Sequence, residues 1–235
     1  MNQPITLKLL TSCILTLAMA TSTVALAEYS PPPDQQPPGG YTQSTGPRGG
    51  CELTEKSSLI ALAPRKHVGQ TVAIHPTFAW FVSDLKSFPV EFTLYNYDPV
   101  KGLKLAYKTH LKSSPGIMKL SLPKDRPGLT VGQRYLWQVA ILCDPNHPSS
   151  DLVAKAEIAV VQMPLVIKTV LSQVSDRQQK IELYAKSGLW YDALGEALAD
   201  SSLKQVASGL LEDLAKLEAS EVTQVKSTPT KLLGI

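Results

Sequence analysis

Charge is sparse in this sequence, and the residue types that usually carry chemistry are sparser. Asp, Glu, Lys and Arg make up 18% of 235 residues, aromatic residues 6%, and there are four histidines and three cysteines. The net charge is +3, and the lysines are spread among acidic residues with no run of one sign. A nucleic-acid surface is built from a basic patch or stripe, so that class of partner is disfavoured. No Gly-x-Ser-x-Gly turn presents a nucleophilic serine, and no Cys-x-x-Cys offers a redox or zinc pair. No two of His67, His75, His110 and His147 lie three or four residues apart, and His75 and His147 each precede a proline, where the chain is extended and turning. No metal or cofactor is expected.

What is present begins with residues 1–27, MNQPITLKLLTSCILTLAMATSTVALA. Lys8 is the only charge, an apolar run follows from Leu9 to Ala20, and Ala25-Leu26-Ala27 supplies small residues for a cleavage site, the pattern of a signal peptide. As a membrane anchor the run is short, because a span needs about 20 predominantly apolar residues. Leu10-Thr11-Ser12-Cys13 has the form of a lipoprotein box, but cutting there would leave most of the apolar run on the mature side. The expectation is therefore an exported protein starting at Glu28, periplasmic or extracellular, with no transmembrane segment in the mature chain. Cys13 leaves with the leader, and so does one positive charge. Cys51 and Cys143 remain, an even pair that in an exported protein points to a disulfide, with two free thiols as the alternative. The bridge would close a loop of ~90 residues and contribute at most about 4 to 5 kcal/mol by chain entropy.

Residues 28–50 hold six prolines and five glycines and read as a disordered linker, or as a proline-rich ligand for another protein. Within a β-sandwich domain expected at residues 51–162, the hydrophobic period from about Leu59 to Val161 is two, in short segments broken by Pro, Gly, Asp or Asn, which predicts about seven antiparallel strands, one of them at Thr71–Ile74. Val90, Phe92 and Leu94 share a face opposite Glu91, Thr93 and Tyr95. Leu103, Leu105 and Tyr107 alternate with Lys104, Ala106 and Lys108, and Tyr135, Trp137, Val139 and Ile141 with Leu136, Gln138 and Ala140. Two packed sheets close such a set, and Leu129, Gly132, Tyr135 and Trp137 resemble the tyrosine corner of immunoglobulin- and fibronectin-like sandwiches. Trp80, in HPTFAWFV, is the expected core residue of an earlier strand.

Past Pro164 the period is helical. Ser175 with Gln178 and Ser202 with Gln205 form capping boxes, and Gly188 ends the first main helix. Trp190, Ala193, Leu194, Ala197 and Leu198 make one apolar face, and Leu203 to Leu217 line a third helix. Residues 163–222 are expected to form a helical hairpin or small bundle on or beside the sandwich, with Pro164–Val174 as a further short helix and 223–235 as a flexible tail. Tyr184 to Leu194 resembles the turn of a tetratricopeptide repeat, but a single copy cannot build a solenoid. The fold class is α+β in separate parts.

The leader, the segment ending Gly-Gly-Cys51, the HPTFAWF strand, the RYLWQVAILCDP strand with Cys143 and the YAKSGLWYDAL turn together resemble a cyanobacterial family known as domain of unknown function 928, over roughly residues 48–215. The resemblance implies a bacterial envelope location and no assigned activity. Lys186-Ser187 departs from the family, in which a polar residue such as Asn more often precedes the glycine.

The remaining candidates for a site are few. Asp192, Glu196 and Asp200 stack at i, i+4 and i+8, an arrangement read here as a solvated helix face over paired carboxylates or calcium ligands. Phe78, Trp80 and Trp137 are expected in the core. Tyr95, Tyr97 and Tyr191, with Asp192, form the candidate interaction surface, for a protein partner or, through stacked rings, a glycan. The leading expectation is a non-enzymatic exported interaction or structural module, with a carbohydrate-binding module as the alternative. A periplasmic hydrolase would need a cleft gathering groups such as Asp84, Asp144 and His147.

Overall fold

The computed structural model describes residues 28–39, 58–83, 86–98, 100–144 and 146–226. Eight strands form two sheets. A three-stranded sheet has the order β1 (Leu59–Ala61), β3 (Thr77–Val82), β6 (Gly116–Ser121). A five-stranded sheet has the order β2 (Gly69–Thr71), β8 (Leu152–Val160), β7 (Arg134–Ile141), β4 (Pro89–Asp98), β5 (Gly102–Lys112). Six strands fall where the alternation places them; the strand expected at Thr71–Ile74 lies earlier, at Gly69–Thr71, and β1 is additional. The sheets are not all antiparallel as expected: β2 pairs with β8 in parallel, Gly69 opposite Ile158.

Core faces follow the period of two. Val90, Phe92 and Leu94 from β4 and Trp137 and Val139 from β7 are fully buried, as are Phe78 and Trp80 from β3. Phe78 joins the sheets, its ring 5.0 Å from Phe92 and 5.5 Å from Trp137 between centroids. The tyrosine corner is formed: the Tyr135 hydroxyl accepts from the Thr130 amide at 3.0 Å. One alternation is corrected. Tyr107 faces Leu94 and Leu105 faces Tyr95, so Ala106 is an extra residue without a partner on β4. This bulge turns Tyr107 toward the core and leaves Leu103 and Leu105 on the outer face, where the sequence alternation had put all three together.

Four α-helices follow, α1 (Leu165–Gln173), α2 (Arg177–Lys186), α3 (Trp190–Ala199) and α4 (Lys204–Lys226). Both capping boxes are displaced in favour of a carboxylate. Asp176 accepts from the Gln179 amide at 2.9 Å, and Asp200 accepts from the Ser202 amide at 2.9 Å, starting the short 3-10 turn Ser201–Leu203 before α4. A charged acceptor at a helix start gains from the helix dipole as well as the hydrogen bond, which a serine hydroxyl does not. Helix α4 continues through Lys226, past the point where a tail was expected. Residues 227–235 lie outside the described residues.

The helices are not a separate part. Tyr191 of α3 inserts between the sheets, its ring 6.1 Å from Phe78, accepting from Trp137 Nε1 at 2.8 Å and donating to the Glu157 carbonyl at 2.9 Å. Trp190 is fully buried and donates through Nε1 to the Leu62 carbonyl at 3.0 Å. One continuous core runs from Leu59 and Phe78 through Trp137 to Ile181, Leu194, Val206 and Leu210. The sheets and α2, α3 and α4 thus share a single interior, while α1 buries no side chain.

Tyr29 also belongs to it and residues 28–39 pack over the helices, which corrects the linker reading for that stretch. Tyr29 is 2% exposed, edge-on to Trp190 with ring centroids 4.9 Å apart, and its hydroxyl lies 2.8 Å from His67 Nε2. Ser30 donates its amide to the Ala185 carbonyl at 3.1 Å, and the Gln36 carbonyl accepts from the Val68 amide at 3.0 Å. At Gly188, which ends α2 with φ +76°, a Cβ would stand 2.8 Å from the Pro32 nitrogen. The segment is a strap over the helical turn.

Candidate functional site

A polar concavity lies where the sheets meet the helices. A cleft of about 460 Å³ is lined by His75, Thr77, Ser121, Lys124, Tyr184, Asp192 and Glu196. The β2–β3 connection supplies His75, the facing ends of β3 and β6 supply Thr77 and Ser121, and the i, i+4 spacing on α3 supplies Asp192 and Glu196. Asp192 accepts from the Val72 amide through Oδ2 at 3.0 Å. Burial pushes its pKa up from the ordinary 3.8 to about 6, against the hydrogen bonds from Val72, Thr71 and Ala73. Burial also raises the Tyr184 phenol, helped by the charges of Asp192 and Glu196. Thr77 and Ser121 bond each other, hydroxyl to hydroxyl at 2.8 Å. His75 Nδ1 is buried with no partner among the described residues.

Chemically the cleft offers an acid that stays protonated into mildly acidic conditions and an imidazole, but no aligned nucleophile. The Asp192 carboxylate already holds the backbone of Val72, and so ties the β2–β3 connection to the first turn of α3. Glu196 lies 3.3 Å from Arg177 Nε, and Asp200 3.9 Å from the same guanidinium. The acidic stripe is therefore split: Asp192 is turned inward, while Glu196 and Asp200 bridge to α2.

Two further polar pairs anchor the strap. Arg134 meets Glu157, 1% exposed, at 2.5 Å, and the other Glu157 oxygen accepts from the Gly39 amide at 2.5 Å. At the far end, burial lowers the pKa of His67, opposed by the charge of Glu218, and burial raises the Tyr29 phenol. Glu218 in turn takes Arg65 Nε at 2.6 Å. None of these residues stood out in the sequence. The one available signal was an aromatic residue, Tyr29, two residues before a proline run.

The expected interaction residues separate. Tyr191 is inside the molecule and Asp192 is engaged with Val72, so neither is part of an exposed surface. Tyr95 and Tyr97 are half-buried on the outer face of the five-stranded sheet, and the Arg134 guanidinium sits over the Tyr97 ring at 5.5 Å from its centroid. Phe78, Trp80 and Trp137 fill the core as expected. Cys143, half-buried just past β7, places its sulfur 3.6 Å from the Ile141 carbonyl oxygen, while Cys51 and Asp84 lie outside the described residues. His147 is four residues from Cys143, but it is exposed and its Nδ1 is 2.6 Å from Asp144. His110 is exposed beside Glu91 at 3.3 Å. Among the described residues no group of three or more His, Cys, Asp or Glu side chains is placed to hold a metal ion, and no helix is long and apolar enough to cross a membrane.

Fold and site together define an α+β protein in which two sheets and the helices α2, α3 and α4 share one core. A family model described as Domain of Unknown Function (DUF928) matches residues 43–226, and the chain belongs to that family. No curated protein matches the sequence.

Proposed function

We propose that this is an exported, non-enzymatic envelope protein that works as an interaction module, built on an immunoglobulin/fibronectin-like two-sheet scaffold. One observation carries the reading. The polar groups with perturbed chemistry hold the body together, as Asp192 does Val72 and His67 does Tyr29, while the exposed large apolar side chains, otherwise scattered singly, stand side by side on two elements, α1 and β5. Leu165 and Val166 of α1 are 80% and 73% exposed, and Leu103 and Leu105 stand outside on β5. Adjacent exposed apolar side chains are the usual mark of a protein-binding surface. The corner bond from Thr130 to Tyr135 supports the scaffold assignment. Export rests on the leader pattern of residues 1–27, as does the Cys51–Cys143 bridge.

A protein partner is favoured over a glycan because Tyr191 is enclosed and Tyr97 already carries Arg134 on its ring. The test uses the mature chain as bait in envelope extracts. A stoichiometric partner that is lost when Leu165 and Val166, or Leu103 and Leu105, are changed to Asp supports the reading. Turnover of ester, phosphoester, glycoside or peptide substrates that Asp192→Asn abolishes would overturn it.

A further inference from the structure

The five-stranded sheet ends on β5, and among the described residues no strand pairs with its outer edge. This edge is eleven residues long, contains no proline, and presents the backbone groups that a neighbouring strand would bond. Natural edges are blunted by charge or shortness, and here the blunting has one sign: Lys104, Lys108, His110 and Lys112 with no acid in the strand. Glu91 lies 2.7 Å from Lys108 and 3.3 Å from His110, whereas Lys104 and Lys112 have no acidic partner among the described residues. The nearest acid of the hairpin, Asp98, accepts the amides of Val100 and Lys101.

A groove of about 340 Å³ runs beside this edge, bordered by Lys104, Tyr107, Leu122, Arg126, Leu129 and Tyr135, with no carboxylate in its lining. The bulge at Ala106 gives the edge two distinct faces. Lys104 and Tyr107 line the groove, and Leu103 and Leu105 pair with Tyr97 and Tyr95 on the outer face, Leu105 also bordering the groove.

We infer that β5 is a docking edge for an extended acidic segment of another protein, which adds as a sixth strand and alternates carboxylate with apolar side chains. Its backbone would bond the free edge at the usual strand spacing. Carboxylates on one face would meet Lys104 and Arg126 at the groove, and apolar side chains on the other would cover Leu103 and Leu105. Charge argues against a second copy of this chain, because β5 set against β5 opposes lysine with lysine, and like charges directly across strands are destabilising. This inference rests on the interaction-module reading and names its partner class.

The test uses the whole mature chain with two blocked nonapeptides, one alternating Val and Glu and the other Val and Lys, followed by fluorescence anisotropy and amide hydrogen exchange. In the free protein the outward amides of 102–112 exchange fast. The Val/Glu peptide slows them at least tenfold, its affinity falls with added salt, and the Val/Lys peptide does not bind. Lys104→Glu with Arg126→Glu weakens the Val/Glu peptide at least tenfold; should that pair unfold the protein, the alanine pair is read in its place. Slow β5 exchange in the free protein, equal affinity for both peptides, protection elsewhere, or a self-dimer that protects β5 would each overturn the assignment. Capture of an envelope partner that survives the double variant refutes the β5 edge alone and leaves the module reading standing.

Discussion

Tyr29 and Asp192 illustrate how single residues set the behaviour of this molecule. Tyr29 brings a buried ring and a hydroxyl to the strap, and truncating such an aromatic costs about 3 to 5 kcal/mol. Tyr29→Ala is expected to destabilise the protein by that order, and Tyr29→Phe, which loses only the contact with His67, by about 1 kcal/mol. Denaturant unfolding of the two variants checks both values. Asp192 has a folded pKa raised to about 6, so the folded state holds its proton more tightly than the unfolded one. Its contribution is largest below pH 4 and is lost as pH rises to 6, a change on the order of 3 kcal/mol. Asp192→Asn therefore flattens stability against pH between 4 and 6. His67 has the opposite sign: its pKa is lowered, so its contribution is present above 6.5 and falls as pH drops below that value. An unchanged slope in the asparagine variant would contradict the account of Asp192.

At the scale of elements, much was legible from pattern alone. The strands around Phe92 and Trp137, the tyrosine corner, the Gly188 stop and the apolar face of α3 all follow from local spacing. What could not be read depended on partners distant in sequence. The Ala106 bulge exists because β4 and β5 must both register against the core, and nothing within GLKLAYKTHLK marks the extra residue. The caps shifted because Asp176 and Asp200 compete with the neighbouring serines. Tyr191 looked like an exposed ring because its slot is made by Trp137 and Glu157, which belong to the sheets. Gly188→Ala, at φ +76° against Pro32, is expected to cost at least 1 kcal/mol and to loosen the strap, read as faster exchange of the Ser30 amide. By contrast, Leu165→Gln with Val166→Gln on exposed α1 should leave stability within about 0.5 kcal/mol, because neither side chain enters the core.

For the whole molecule, sheets, helices and strap form one body rather than a sandwich with an appendage. Proline and glycine content gives the strap the look of a spacer because it describes a chain without a partner, whereas the surface made by Trp190, His67 and Ala185 exists only after folding. The expected disulfide belongs to this scale too: mass spectrometry of the protein without reductant should find Cys51 and Cys143 joined, and two free thiols would refute the covalent closure. The most direct test of a single body is native-state hydrogen exchange across a denaturant series. The amide of Ala193 in α3 and that of Val139 in β7 are predicted to exchange only through global unfolding, with the same free energy and the same denaturant slope. Exchange of Ala193 at a clearly lower free energy, while Val139 stays closed, would show that the helices open by themselves and would contradict the account.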